Sequence, residues 1–207
     1  MRVEEFIPTQ QFKAIENGTV CCTAPSNIAL VKYWGKKPNQ IPANPSISFT
    51  LNNCKTTTIL KYKVKPSKEL SFEVFLDGKP KEDFKLKIQQ FFERILIYAP
   101  YLETHHFQIE TSNTFPHSSG IASSASGMSA LAMCLVQLER LLYPDSEATF
   151  LKRKASFLAR LGSGSACRSI EGGLVVWGQH KGLSGSCDLR GLTFSSEVHA
   201  GVQADQE

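Results

Sequence analysis

The sequence lacks the signals that would place a protein in a membrane or outside the cell. No apolar run is long enough to span a bilayer, and Met1–Glu5 is acidic and has no signal-peptide core. The cysteines form no CxxC pair and have no metal-ligand spacing. They are Cys21, Cys22, Cys54, Cys134, Cys167 and Cys187. We therefore expect free thiols, a cytoplasmic location and no membrane partner.

Two common phosphate-binding signatures are also missing. No Gly-Lys-Ser/Thr follows the small-residue stretch at 116–127, and its glycines are not spaced as G-x-G-x-x-G, which excludes the Walker and dinucleotide types. The formal net charge is only +4, and neither of the glycine-serine stretches at 116–127 and 162–169 interleaves cations with stacking aromatics. We expect a small anionic ligand rather than a nucleic acid.

The sequence does contain a stretch rich in glycine and serine that leads directly into an apolar, helically periodic segment. It reads Pro-His-Ser-Ser-Gly-Ile-Ala-Ser-Ser-Ala-Ser-Gly at 116–127. Small residues at a helix start let backbone N–H groups approach an anion, which the helix dipole also favours. A phosphate loop and an ordinary helix cap both satisfy this pattern.

A second unusual stretch is Asn27–Lys37, which begins as a buried strand and ends in a Gly-Lys-Lys turn. It places two aromatic residues and three cations at the end of a strand. Ligands are often bound at such positions, and edge strands often carry protective lysines, so both interpretations stay open here.

Periodicity predicts a mixed α and β chain of about one domain, with a lead-in at 1–18, a domain at 19–200 and a polar tail at 201–207. Ser146 is predicted to cap the last helix, and His105 and His106 are expected on the surface. The predicted strands are 19–24, 27–31, 46–51, 56–62, 71–76, 104–111 and 172–178. The predicted helices are 83–98, a long helix ending at 142, and 147–161.

Three motifs together resemble the diphosphomevalonate decarboxylase family of the GHMP kinase superfamily. They are Ala-Pro-Ser-Asn-Ile-Ala with Lys-Tyr-Trp-Gly-Lys at 24–36, Pro-x-x-x-Gly-Ile-x-Ser-Ser-Ala at 116–125, and Gly-Ser-Gly-Ser-Ala-Cys-Arg-Ser at 162–169. The resemblance implies an α+β fold of the GHMP kinase N-terminal type (ribosomal protein S5 domain 2-like) with a left-handed β-α-β unit. It also implies that the C-terminal GHMP domain is absent or truncated.

The resemblance further implies ATP-dependent decarboxylation of mevalonate 5-diphosphate, with ATP and Mg²⁺ as cofactors. The residues implied as catalytic are Lys32, Ser124 and Arg168. Those implied in substrate binding are Asn27, Tyr33, Lys36, Ser163, Ser165 and Arg168. Those implied in ATP binding are Pro116, Gly120, Ala122, Ser123 and Ser124. Trp34 and Trp177 are expected to be packing residues.

One departure from the family pattern leaves alternatives open. Family members carry an aspartate in a second domain, and no residue of this sequence matches its motif; neither Asp188 nor Asp205 has the right context. The alternatives are an inactive or split fragment that binds phosphorylated ligands, and a related GHMP small-molecule kinase. Members often form homodimers, so a homodimer is among the assemblies expected.

Overall fold

The computed structural model describes residues 2–12, 15–116 and 120–194. The end of the predicted domain at 200 and the predicted tail lie outside these residues. The strands are β1 Asn17–Val31, β2 Lys36–Lys37, β3 Ile41–Pro42, β4 Ser46–Val64, β5 Ser71–Leu76, β6 Lys79–Pro80, β7 His105–Asn113, β8 Leu174–Trp177 and β9 Gly191–Thr193. The helices are α1 Glu82–Ile95, α2 Ser123–Leu142 and α3 Ala148–Gly162. Short 3₁₀ segments lie at Val3–Phe6, Pro38–Gln40, Pro100–Glu103 and Gly164–Ser169.

Within the described residues, seven strands form one mixed sheet in the order β6-β5-β7-β4-β8-β9, and β1 pairs with β4 as a branch of that order. β5 and β7 run parallel, with α1 between them in the chain, while the other pairs are antiparallel. A mixed sheet carrying helices is the α+β architecture that the sequence predicts.

The two longest strands differ from the sequence prediction. β4 continues through 52–55, where two separate strands are predicted, and β1 continues past Pro25, where a strand end is predicted. The pairing jumps from Pro25↔Lys55 to Ser26↔Leu51, so β4 has extra residues opposite the junction. Proline is tolerated in a strand at such an irregularity because it need not donate a ladder hydrogen bond there.

The helices form a layer against the sheet and enclose the core. α2 packs against β1 and β4, α1 packs against β5, and α3 packs against both other helices. Most of the apolar positions that recur at helical spacing in α1 and α2 are buried, including Phe91, Phe92, Leu131 and Leu135. Helical periodicity therefore identified the buried faces correctly.

Three local predictions are wrong. His105 is buried, not on the surface, and its ring nitrogens lie 3.1 Å from the carbonyl oxygens of Tyr101 and Ile15. Ser146 does not cap α3, whose N-cap is Glu147 and has no side-chain cap bond. Trp34 is 84% exposed and does not pack, whereas Trp177 is fully buried as predicted.

The cysteine prediction is confirmed, since all six thiols are free. Cys134 lies in the core, and its Sγ contacts the Thr58 carbonyl oxygen at 3.2 Å. In the part of the chain that the structure describes, none of the helices combines the length and the hydropathy needed to cross a lipid bilayer.

Candidate active site

The glycine-serine stretch at 116–127 forms a tight bend that leads into α2. Gly120 has a φ of 83° and Ala122 a φ of 57°, and Ser123 is the first residue of the helix. Glycine adopts the left-handed region at little cost and bulky or β-branched residues do not, which explains the small residues of this bend. The N–H groups of Ser123 and Ser124 belong to the first helical turn, where no intrahelical acceptor exists. The motif residues His117, Ser118 and Ser119 lie outside the described residues.

A cavity of about 280 Å³ lies beside the start of α2, between α1 and the sheet. Its wall is mainly apolar, with side chains such as Val74, Ile109 and Leu131, and Ser123 and Ser124 form part of it. Lys87 of α1 also lines this cavity, and burial lowers the pKa of its ammonium group. An apolar wall that meets a helix N-terminus and a cation can hold a ligand with an apolar ring at one end and phosphate at the other.

The second glycine-serine bend, at 162–169, carries a buried arginine. Arg168 is 2% exposed, its Nη1 donates to Ser46 Oγ at 2.6 Å, and its Nη2 makes a long contact of 3.5 Å with Asn27 Oδ1. Its Nε has no hydrogen-bond partner. Arg168 makes no ion pair with any carboxylate of the described residues. Burial lowers the pKa of Arg168, although an arginine stays protonated in proteins.

Adjacent residues of β1 connect both bends to the same strand. The Ser26 hydroxyl donates to the Ile121 carbonyl oxygen in the first bend. Asn27 Nδ2 donates to Ser169 Oγ at 2.7 Å in the second. Ser129 of α2 adds a direct bond between the two regions, from its Oγ to the Ala166 carbonyl oxygen at 2.7 Å. The two motif loops and the middle of β1 are thus one connected assembly.

The residues that follow β1 cover the arginine. The Tyr33 ring packs edge-on against Trp177, with ring centroids 4.9 Å apart. Its centroid is 5.9 Å from Arg168 Cζ and 5.8 Å from Lys36 Nζ, so two cations share one aromatic ring. Gly164 makes this packing possible, because a Cβ there would lie 2.6 Å from Trp177 Cη2 and 3.3 Å from Lys36 Cε.

The remaining predicted site residues lie nearby but make fewer contacts. Lys32 is exposed on the bend after β1, and its ammonium group makes no hydrogen bond or ion pair with the described residues. Ser163 and Ser165 are half-buried at the start of the 164–169 segment, and the Ser165 carbonyl oxygen accepts a 3.3 Å bond from Asn27. Pro116 is exposed where the first bend begins.

Two cations of α1 are absent from the sequence predictions and face the same region. Burial lowers the pKa of Lys36, and Lys87 and Arg94 lower it further by charge repulsion. Arg94 is held in place by a 3.0 Å bond from its Nη1 to the Leu161 carbonyl oxygen. Positions 87 and 94 are seven apart and share one helix face, so a search for cations as well as apolar residues at helical spacing would have found them.

The described residues contain no group of three or more histidine, cysteine, aspartate or glutamate side chains arranged to hold a metal ion. Side chains with oxygen atoms along the cavity are Ser123 and Ser124 at the start of α2, together with Thr56, Thr58, Thr111 and Asn113 on the sheet. Mg²⁺ keeps several waters and often binds through substrate phosphates with few protein ligands. This donor set fits a magnesium ion that arrives with a nucleotide.

The fold and the paired bends define a domain of the GHMP kinase type. The chain belongs to the diphosphomevalonate decarboxylase-like N-terminal domain family, whose model matches residues 24–188. It is 35% identical over 180 residues to diphosphomevalonate decarboxylase mvd1 of Aspergillus fumigatus. That alignment covers 81% of this chain and 43% of the Aspergillus protein.

Solved structures agree with this assignment. Mevalonate diphosphate decarboxylase from Staphylococcus aureus superposes with a TM-score of 0.68 at 33% identity, over 87% of this chain and 51% of that one. A structure described as MDDEF in complex with MVAPP, AMPPCP and magnesium has a TM-score of 0.64 at 33% identity, over 86% of this chain and 51% of that one. The chain therefore spans about half the length of the proteins it resembles, and the C-terminal domain of the family is not covered.

Proposed function

We propose that this chain supplies the phosphate loop and the carboxylate-binding arginine for ATP-dependent decarboxylation of mevalonate 5-diphosphate to isopentenyl diphosphate. The relatives are named diphosphomevalonate decarboxylase, and MVAPP, AMPPCP and magnesium occur together in one of the similar structures. In this reaction the 3-hydroxyl is phosphorylated, and phosphate and CO₂ are then lost. A tertiary hydroxide is a poor leaving group, and a phosphate is a good one.

The buried, unpaired guanidinium of Arg168 is the observation that carries the proposal. A buried charge without a counter-ion is costly, so the site favours a ligand that brings an anion to it. Nε and Nη2 share one edge of the guanidinium, and Nε is unpartnered. That edge matches the two oxygens of a carboxylate. Ser46 and Asn27 fix the plane of the group through its two terminal nitrogens.

The other predicted residues fit a triphosphate and a diphosphate. Ser123 and Ser124, with Pro116, Gly120 and Ala122 in the bend before them, would hold the nucleotide phosphates at the start of α2. Lys36 and the neighbouring cations Lys87 and Arg94 would neutralise phosphate charge between the two bends. The other residues predicted on the substrate side keep their predicted roles as part of this proposal. They are Lys32, Tyr33, Ser163 and Ser165.

Carboxyl-labelled mevalonate 5-diphosphate, incubated with the chain, ATP and Mg²⁺, tests the proposal. We expect labelled CO₂ and ADP in equal amounts. The control is Arg168→Ala, which should abolish CO₂ release while leaving binding of AMPPCP intact, because the nucleotide loop lies at the other bend.

Two other outcomes would replace the proposal with an alternative. ADP formed together with a stable 3-phosphorylated product, without CO₂, would identify a small-molecule kinase. Calorimetric binding of substrate and nucleotide without any ADP would identify a binding domain that needs further residues for turnover.

A further inference from the structure

A second cavity, of about 420 Å³, lies where the N-terminal segment crosses the end of α2 and the start of α3. Its lining consists of Glu5–Gln11 and Leu142–Ser146 together with Glu139, Phe150 and Lys154. It shares no lining residue with the cavity beside Ser124. This volume is within the range of small-molecule sites.

A buried ion pair forms one wall of this second cavity. Lys154 Nζ donates to Glu139 Oε1 at 2.5 Å, and both side chains are at most 3% exposed. The second carboxylate oxygen, Glu139 Oε2, has no hydrogen-bond partner, and neither has the buried hydroxyl of Tyr143. Buried polar groups are nearly always paired, and each unpaired one costs free energy. Two unpaired groups on one wall are therefore an unusual concentration of unused hydrogen-bonding capacity.

The charges on the lining decide which ligand fits. Glu5 and Asp145 are exposed carboxylates at the rim, while Lys154, the one cation among the lining residues that the structure describes, is already neutralised by Glu139. The cavity thus carries an excess of negative charge, which disfavours phosphates and carboxylates. Apolar contact area is supplied by Ile7, which is exposed, and by Phe150, which is half-buried.

We propose that this cavity binds a small molecule that carries a protonated amine on an apolar body. The ammonium group hydrogen-bonds Glu139 Oε2 and the Tyr143 hydroxyl, and the apolar body lies against Ile7 and Phe150. Because both polar atoms are shielded from bulk solvent, binding involves a small side-chain rotation of the kind common at interfaces. Burial raises the pKa of Glu139 and Lys154 opposes that rise, and a bound ammonium favours the carboxylate form further.

The test uses three probes of similar shape and different charge with the full chain: 2-phenylethylamine, 2-phenylethanol and 3-phenylpropanoate. Calorimetry at millimolar probe concentration should give an affinity for the amine about 10- to 100-fold above that for the alcohol, the value of one charge-assisted hydrogen bond. The carboxylate should bind more weakly than the alcohol. Equal affinities for the amine and the carboxylate, or no binding of the amine, would overturn the proposal.

Single substitutions test whether the amine binds in this second cavity. Tyr143→Phe, which removes only an unpartnered hydroxyl, and Asp145→Asn, at an exposed site, should both retain the fold and weaken amine binding. Asp145→Asn should leave alcohol binding unchanged. Asp83→Asn is the matched control, because Asp83 is an exposed carboxylate on α1 outside this cavity. An Asp145→Asn effect no larger than that of Asp83→Asn, or displacement of the amine by AMPPCP, would refute the assignment.

Discussion

Replacing Gly164 by alanine should destabilise the protein and disturb the site. The added Cβ would lie 2.6 Å from Trp177 Cη2 and 3.3 Å from Lys36 Cε. The lysine can move, but the fully buried indole cannot move easily, because its N–H donates to the Asp188 carbonyl oxygen at 2.9 Å. Overpacking of this kind costs about 1–3 kcal/mol. The reduced freedom of alanine in the unfolded chain returns roughly 0.4–1 kcal/mol of that loss.

Gly127→Ala is the matched control for this prediction. Gly127 lies inside α2, and nothing is within 4 Å of the position that an added methyl group would occupy. Alanine in a helix interior is more favourable than glycine by about 0.5–1 kcal/mol, so this variant should gain stability. Urea unfolding followed by circular dichroism gives both free energies of unfolding. The steric argument is refuted if Gly164→Ala is as stable as Gly127→Ala at an unchanged m-value.

Three further predictions concern the charged groups. Arg168→Lys should lower kcat/KM by about 10- to 100-fold, because it removes a hydrogen bond to a charged group. The control Arg153→Lys changes an exposed position, and its steady-state kinetics should match the wild type. Lys154→Met should lower the free energy of unfolding by about 3–5 kcal/mol, measured by thermal or urea unfolding, because it leaves the buried Glu139 carboxylate without a counter-ion. Adding Glu139→Leu should restore most of that loss. Affinity for inorganic pyrophosphate should fall as pH rises through the lowered pKa of Lys36, since only the protonated amine attracts the anion. In calorimetry across pH, Lys36→Arg should remove that part of the decline. An unchanged pH profile of Lys36→Arg would contradict the role of Lys36 in phosphate binding.

Much of the architecture could be predicted because its signals are local. Helical spacing identified the buried faces of α1 and α2, and alternation identified β5 within its observed bounds. The wrong predictions arose where distant residues decide the outcome. His105 is buried with its ring nitrogens beside the carbonyl oxygens of Tyr101 and Ile15, and nothing in the local pattern indicates those neighbours.

In the candidate site, too, the features with a local sequence signal were predicted and those that depend on tertiary packing were not. The two glycine-serine bends were recognisable as motifs because backbone geometry restricts their composition. The roles assigned to their residues stay predictions. Lys87 and Arg94 were missed, since a lysine and an arginine on a helix are ordinary surface residues until tertiary packing turns them toward Lys36. Ser46 was predicted only as the first residue of a strand, and its bond to Arg168 depends on β4 lying beside β1.

The neighbouring positions Ser26 and Asn27 have a consequence for genetic experiments. Since one holds the bend before α2 and the other holds the bend around Arg168, a backbone shift at this point of β1 moves both anchors together. In a saturation-mutagenesis screen, proline or large side chains at either position should produce a combined phenotype, in which neither ligand is retained. Separation-of-function alleles should therefore come from within the bends and not from the strand that joins them.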